Sequence, residues 1–353
     1  MRQLKTFFKI AILLRIMMVA PTQIAAQEQK PGAVGDPYAN MPLIAPIGER
    51  IGKHFDVDES AKGPAIDPKK GYRLQELGKG LYMITDNAYQ SMFMVYESGV
   101  VVVDAPPPLQ QYILKAIAEV TSKPITHMIY SHSHIDHIGA TKSLNLNKNT
   151  IIIAHEETKR LLVRANDPNR PAPTITFKEK YSVKVGSQTL ELSYHGNAHE
   201  PGNIFIYAPG QKTLMVIDVV FPGWMPWRRF ALAQDIPAYF SQVEEINKMN
   251  WDILVGGHVA RTGTHADVAI QLEFMNDLRN AARQALASTK FGEGLAVTWN
   301  ENPWAVADDY IDQVVIQCVN VLAPKWSARL AGFDVYIWDQ CYAMEQSLRI
   351  DEQ

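Results

Sequence analysis

The segment Ser131-His132-Ser133-His134-Ile135-Asp136-His137 constrains this chain more than any other. It packs three imidazoles and one carboxylate into six consecutive positions. It follows an apolar run, Ile125–Tyr130, that reads as a buried strand, and it precedes Gly139-Ala140, where a helix can begin. Polar groups at the C-terminal end of a strand, on a loop entering a helix, face a cleft. His132 and His134 can face one metal ion from a turn, and Asp136 and His137 can face a second. Imidazole and carboxylate are the usual donors of open zinc sites. No thiolate belongs to the cluster, so a Cys-only structural site is excluded.

More donors follow at comparable places. His199 lies in the turn Asn197-Ala198-His199-Glu200-Pro201-Gly202-Asn203, just ahead of a strand. Asp218 closes the apolar run Leu214-Met215-Val216-Ile217. His258 follows Leu254-Val255-Gly256-Gly257. An apolar strand does not end on a carboxylate at random, and the full set, five His and two Asp, is enough for two metal ions. Of the other His residues, His195 reads either as a partner standing behind His199 or as packing, and His127 reads as core. His54, His155 and His265 read as non-functional.

Around these residues the pattern is mixed. Strands are expected at Leu81–Thr85, Ser91–Tyr96, Gly99–Val103, Ile125–Tyr130 and Ile151–Ala154. Further short strands are expected at Ile175–Phe177, Tyr181–Val185, Leu190–Tyr194, Asn203–Tyr207, Thr213–Ile217 and Asp252–Val255. Helical spacing covers Leu109–Val120, with Ile113, Ala116, Ile117 and Val120 on one face, and also Glu156–Arg164, Ala238–Met249 and Ala266–Ala287. Without a strict βαβ repeat, this predicts stacked sheets covered by helices, an α+β sandwich. Residues 71–288 form the expected main domain, and 27–70, rich in Pro, Gly and Ala, an N-terminal arm. Residues 289–353, with Trp299, Trp304, Trp326 and Trp338, form a helical extension, read either as a lid or contact surface or as ordinary packing.

The first 26 residues read as a secretory signal peptide. Arg2, Lys5 and Lys9 lead, an apolar run spans Ile10–Ala20, and Ala25-Ala26 offers a cleavage site. A periplasmic or secreted protein is expected, with no stable membrane insertion after cleavage. A formal net charge of −3 gives no electrostatic case for nucleic-acid binding, so the expected partner is a small-molecule substrate. Export makes a disulfide between Cys318 and Cys341 possible, and two buried thiols fit the sequence as well.

With Asp104 at the end of Val100–Val103, His132-Ser133-His134-Ile135-Asp136-His137, His199 with Pro201-Gly202, Asp218 and His258, the sequence resembles the metallo-β-lactamase superfamily over about residues 75–285. The resemblance implies a four-layer αββα sandwich with the site at one edge of the two sheets. It implies one Zn²⁺ on His132, His134 and His199, and a second on Asp136, His137 and His258. Asp218 would bridge the two, and Asp104 would brace the motif loop. A metal-bridging hydroxide would be the nucleophile, with Asp136 as the catalytic residue that orients it. An Asp at 218 is associated within the resemblance with thioester, lactone and phosphodiester hydrolases. The implied function is therefore hydrolysis of an ester, lactone or related carbonyl bond. β-Lactam hydrolysis is one alternative, and an iron-binding redox or dioxygenase protein of the same fold is another. The loop Phe221–Phe230 is expected to wall the metals with Trp224 and Trp227 and to offer Arg228 and Arg229 to an anionic group. Tyr89 and Asn87 are candidates for assisting an oxyanion.

Overall fold

The computed structural model describes residues 54–294 and 297–351, all within the unit Pro37–Gln353. The expected signal peptide and residues 27–53 of the expected arm lie outside them. Strands β1 (Arg73–Gly78), β2 (Leu81–Thr85), β3 (Gln90–Tyr96), β4 (Gly99–Val103), β5 (Ile125–Ile129), β6 (Ile151–His155) and β7 (Ile175–Phe177) form one sheet in that order. Its first four strands run antiparallel and β4 to β7 run parallel. The second sheet has the order β12-β11-β10-β9-β8. Its strands are β8 (Lys180–Val185), β9 (Gln188–Tyr194), β10 (Ile204–Ala208), β11 (Thr213–Val216) and β12 (Ile253–Val255), with only β11 and β12 paired parallel.

Side-chain alternation shows how the layers stack. Val101 and Val103 of β4 join Met83, Ile129, Leu192, Ile206 and Met215 in the core between the sheets. Val100 and Val102 point the other way, against Ile113, Ala116 and Ile117 of helix α1 (Ile113–Val120). The unbroken Val100–Val103 run is thus what a strand buried on both faces requires. On the second sheet, Met215 faces inward while Leu214 and Val216 face outward. The outward pair meets helices α4 (Ile236–Lys248) and α5 (His265–Ser288). Together with α2 (Ile135–Ile138) and α3 (Glu156–Ala165) on the first sheet's side, the layers are helix, sheet, sheet, helix. Among the described residues no helix is long and apolar enough to cross a membrane.

The expected elements differ from the observed ones mainly at their ends. The expected helix from Leu109 begins at Ile113, because Pro107–Leu109 wind into a 3-10 turn first. Val120, expected on the buried face, is 37% exposed. His127, expected in the core, is half-buried and bonds Thr126. Strand β1 was not foreseen. Residues 54–70 pack as a strap: Ala61 O accepts from Trp224 Nε1 at 2.8 Å, and Ser60 O accepts from Arg261 at 2.7 Å.

Beyond α5, two long helices complete the outer layer, α6 (Pro303–Trp326) and α7 (Phe333–Ile350). Val314, Val315, Val319, Leu322, Phe333 and Met344 enter the same core cluster as Leu214 and Val216. Cys318 and Cys341, both fully buried, form a disulfide between these helices. In Trp326 the extension contributes one of the largest fully buried side chains, while Trp299 and Trp304 are exposed.

Candidate metal centre

The donors lie on the connections at one end of the strands, with His199 in the turn leading into β10, and sheet register brings these connections together. Val103 pairs with Ile129 across β4 and β5, so Asp104 and the motif loop leave the first sheet side by side. Asp104 Oδ1 accepts the Ser131 N–H at 2.8 Å and fixes the loop's departure. On the second sheet Met215 pairs with Val255, so Asp218 and His258 leave together, and Asp218 N–H donates to Gly256 O at 3.2 Å. Asp104 and Asp218 both have left-handed backbones, with φ of 61° and 63°, a conformation that short polar side chains tolerate and that clusters at functional sites. Gly257, at φ +88°, has no room for a side chain: a Cβ there would lie 2.6 Å from Ile217 and 3.3 Å from His137 Cε1.

Among the described residues, His132, His134, His199 and Asp218 form one group of converging donor atoms. Asp136, His137 and His258 form another, and the donor atoms within each group lie within 4.8 Å of one another. Asp218 touches both groups. Its Oδ2 is 3.6 Å from His132 Nε2, 3.2 Å from His199 Nε2 and 3.1 Å from His137 Nε2, and its Oδ1 is 3.1 Å from His258 Nε2. Asp136 Oδ2 lies 3.5 Å from His137 and 3.6 Å from His258. The Asp218 side chain is 6% exposed and that of Asp136 is 41% exposed, so Asp136 is the carboxylate open to a ligand.

The chemistry of this donor set fits divalent cations. His132 Nε2 is buried, has no hydrogen-bond partner and lies in the first group, whereas its Nδ1 is held by Ser131 Oγ at 2.9 Å. Ring nitrogens of different residues face one another at 3.0 Å (His137 and His258) and 3.1 Å (His134 and His199). Such convergence of lone-pair carriers around a carboxylate is what a cation needs. Burial pushes His132 well below the usual imidazole range and lowers His134, which keeps both neutral and ready to bind. Burial opposes the charge on Asp218, yet His137 and His199 hold its carboxyl well below the ordinary range. Burial also opposes charge on His258, but its bonds to Asp136 and Asp218 push it up to about 10. A cation at the second group therefore displaces a proton.

Several residues around the centre were not singled out from sequence. Glu200, 5% exposed, accepts from Ser133 N–H at 3.0 Å and Ser133 Oγ at 2.7 Å, and faces His134 Nε2 at 3.4 Å. It thereby orients the ring so that Nδ1 points to the first group. Its one sequence signal is its place beside His199. Arg170 donates to Ser133 O at 2.6 Å. Gln90 ties the 256–261 loop, donating to Val259 O at 2.9 Å and accepting from the Gly257 N–H at 3.2 Å.

Other expectations fall differently. Arg228 and Arg229 face Asp339 of α7 at 3.3 and 3.6 Å and are not offered to the metal groups. Trp224 donates to Ala61 and Trp227 packs edge-on against Tyr336. Phe221, parallel to the His258 ring at 6.2 Å, supplies the apolar contact expected of them. Tyr89 sits at the site with its ring centroid 4.6 Å from His258, whereas Asn87 donates to Pro64 O at 3.1 Å, away from it. His195 packs flat on Phe205 and bonds Glu245 at 2.8 Å, which is the packing reading.

The family model of the metallo-β-lactamase superfamily matches residues 84–281. The chain belongs to the metallo-β-lactamase superfamily. Among curated relatives it is 26% identical over 211 residues to the 2,4-dinitroanisole O-demethylase subunit alpha of Nocardioides sp. (strain JS1661), covering 58% of this chain and 63% of that protein. It is 25% identical over 154 residues to the metallo-β-lactamase type 2 of Elizabethkingia meningoseptica, covering 40% of this chain and 60% of that one. The chain thus spans less than two thirds of these relatives' own length. A solved metallo-β-lactamase from Pontibacter korlensis is similar with a TM-score of 0.49 at 17% identity, covering 57% of this chain and 97% of that one. The expected αββα sandwich is the fold observed. Metal binding accords with the two donor groups.

Proposed function

We propose that this chain is an exported dinuclear zinc hydrolase that cleaves a carboxylic ester, a lactone or a related carbonyl bond. His132, His134 and His199 would hold one Zn²⁺, and Asp136, His137 and His258 the other. Asp218 would be shared between them. The observation that carries the reading is the Asp218 carboxylate, buried and within 3.6 Å of four ring nitrogens drawn from both groups. When bound, two such ions supply Lewis acidity for a carbonyl oxygen and lower the pKa of water to near neutrality.

The chain's own residues do the rest. Asp136, 41% exposed, would accept a proton from attacking water and orient it; its openness supports that role. Glu200 favours the His134 tautomer that leaves Nδ1 free, and Ser131 orients the His132 ring. Phe221 and Tyr89 set their rings beside His258 and give that side of the centre an apolar lining. Ile135, between the two donor groups in sequence and 57% exposed, offers apolar surface to a substrate. The Cys318–Cys341 disulfide supports an oxidising compartment, in line with the leader-like N-terminus.

A lactam is the second substrate class, favoured by the likeness to the Elizabethkingia relative. The test is a panel of p-nitrophenyl esters, lactones, a chromogenic cephalosporin and 2,4-dinitroanisole, run on zinc-loaded protein beside Asp136→Ala. Ester or lactone turnover that the variant lacks is the expected result. Turnover confined to the cephalosporin or to dinitroanisole would replace the proposal.

A further inference from the structure

Between the metal centre and α4 the backbone does something unusual. Arg229, Phe230, Ala231 and Leu232 have φ of 51°, 54°, 56° and 58°. The first three have ψ of 52°, 48° and 42°, so Arg228–Leu232 winds as a left-handed turn. Each L-residue disfavours that conformation, and Phe230, Ala231 and Leu232 lack the short polar side chain that eases it. Such a run persists only where its surroundings over-determine it.

Most of those constraints come from α7. Gln340 is fully buried. Its Oε1 accepts the Phe230 N–H at 2.9 Å, and its Nε2 donates to Pro226 O at 2.7 Å and Trp227 O at 3.1 Å. Asp339 meets both arginines, and Arg229 lies over the Tyr342 ring at 5.0 Å. Phe230 is buried against Tyr239 and Phe240. The next residue after Gln340 is Cys341, tied to α6. The far end of the turn joins the metal centre: Gln234 N–H donates to Ala198 O at 2.8 Å and to His199 O at 3.3 Å. Leu232, two residues before that junction, is 49% exposed.

We propose that Gln340 is a positioning residue for the substrate pocket, holding the left-handed turn against the His199 loop so that Leu232 forms the pocket's apolar, specificity-determining wall. The substrate class it selects is an ester or lactone with an apolar acyl chain, a statement that rests on the function proposed above. The turn combines backbone strain and a buried amide, and it leaves Leu232 exposed two residues before the bond from Gln234 to the His199 loop.

The test uses zinc-loaded protein in wild-type, Gln340→Met and Leu232→Ala forms. Gln340→Met keeps volume and apolar packing, and Leu232→Ala alters an exposed side chain. Hydrogen exchange reads the clamp: amides 230–233 exchange faster in Gln340→Met, with metal content unchanged. Calorimetric binding of acetate, butanoate and hexanoate reads the wall without turnover. Wild-type affinity rises with chain length by up to about fourfold per methylene, and both variants flatten the rise. The double variant is no flatter than either single one. Unchanged exchange in Gln340→Met, or equal weakening for all three acids, overturns the proposal. Should no ester be hydrolysed while the chain-length dependence holds, the positioning role stands and the hydrolase reading falls.

Discussion

Replacing Glu200 by Gln removes one charge and one acceptor from beneath His134 while keeping the shape of the side chain. In the wild type the two carboxylate oxygens serve different donors. Oε2 takes the Ser133 N–H, and Oε1 takes the Ser133 hydroxyl and faces His134 Nε2 at 3.4 Å. An amide keeps one acceptor, so at least one buried donor meets an NH₂ group instead. Leaving a buried donor without its partner costs about 1–3 kcal/mol. The loss of the carboxylate behind a ligating imidazole weakens metal binding about 10- to 100-fold. That corresponds to about 1.4–2.7 kcal/mol. Competition with a chromogenic chelator measures the affinity, and thermal melting of the metal-free protein separates it from folding. The expected outcome is weakened binding of one zinc ion and near-unchanged binding of the other, because Asp136, His137 and His258 do not touch Glu200. Wild-type affinity at both sites would refute the argument that Glu200 fixes the His134 tautomer.

Other outcomes follow from the same structure. The Cys318→Ser/Cys341→Ser variant loses a cross-link over a separation of 23 residues. That is worth about 3 kcal/mol on loop-entropy grounds, so its urea midpoint falls, and a midpoint equal to the wild type would contradict a stabilising bridge. On α6, Asp312 is pushed up to about 6 by burial and by Asp308 and Asp309. Its contribution to stability is therefore full below about pH 3.8 and lost as pH rises through about 6. Asp312→Asn should melt higher than wild type at pH 7 and equally at pH 3.5, and no gain at pH 7 would count against the burial argument. Because His258 is raised to about 10 by Asp136 and Asp218, zinc loading at pH 7 should release protons and strengthen with pH. Calorimetry in buffers of different ionisation enthalpy checks this, and buffer-independent heats would contradict it.

The candidate donors were legible because His132 to His137 crowd one short segment and because Asp218 and His258 follow apolar strands, where a His or Asp has few structural reasons to be; His199 was marked by its turn ahead of a strand. The four valines from Val100 to Val103 likewise announced a strand buried on both faces. The sequence was silent where function depends on residues distant in the chain. Gln90 and Gln340 are ordinary glutamines until the fold sets one against the 256–261 loop and the other against a left-handed turn. Arg228 and Arg229 read as an anion site because Asp339, some 110 positions on, is invisible to local pattern. Trp224 and Trp227 read as a wall for the same reason, since their partners Ala61 and Tyr336 come from opposite ends of the chain. Helix starts were misplaced where proline chemistry delayed them, as between Pro107 and Ile113.

The central claim is a pair of metal ions sharing Asp218 and acting together on a carbonyl substrate. Titrating metal-free protein with zinc while following hydrolysis of a p-nitrophenyl ester tests it most directly. The account predicts no activity before zinc, a rise that breaks at two equivalents per chain, and no comparable rise in Asp218→Ala. Full activity at one equivalent, or activity that ignores zinc altogether, would contradict it.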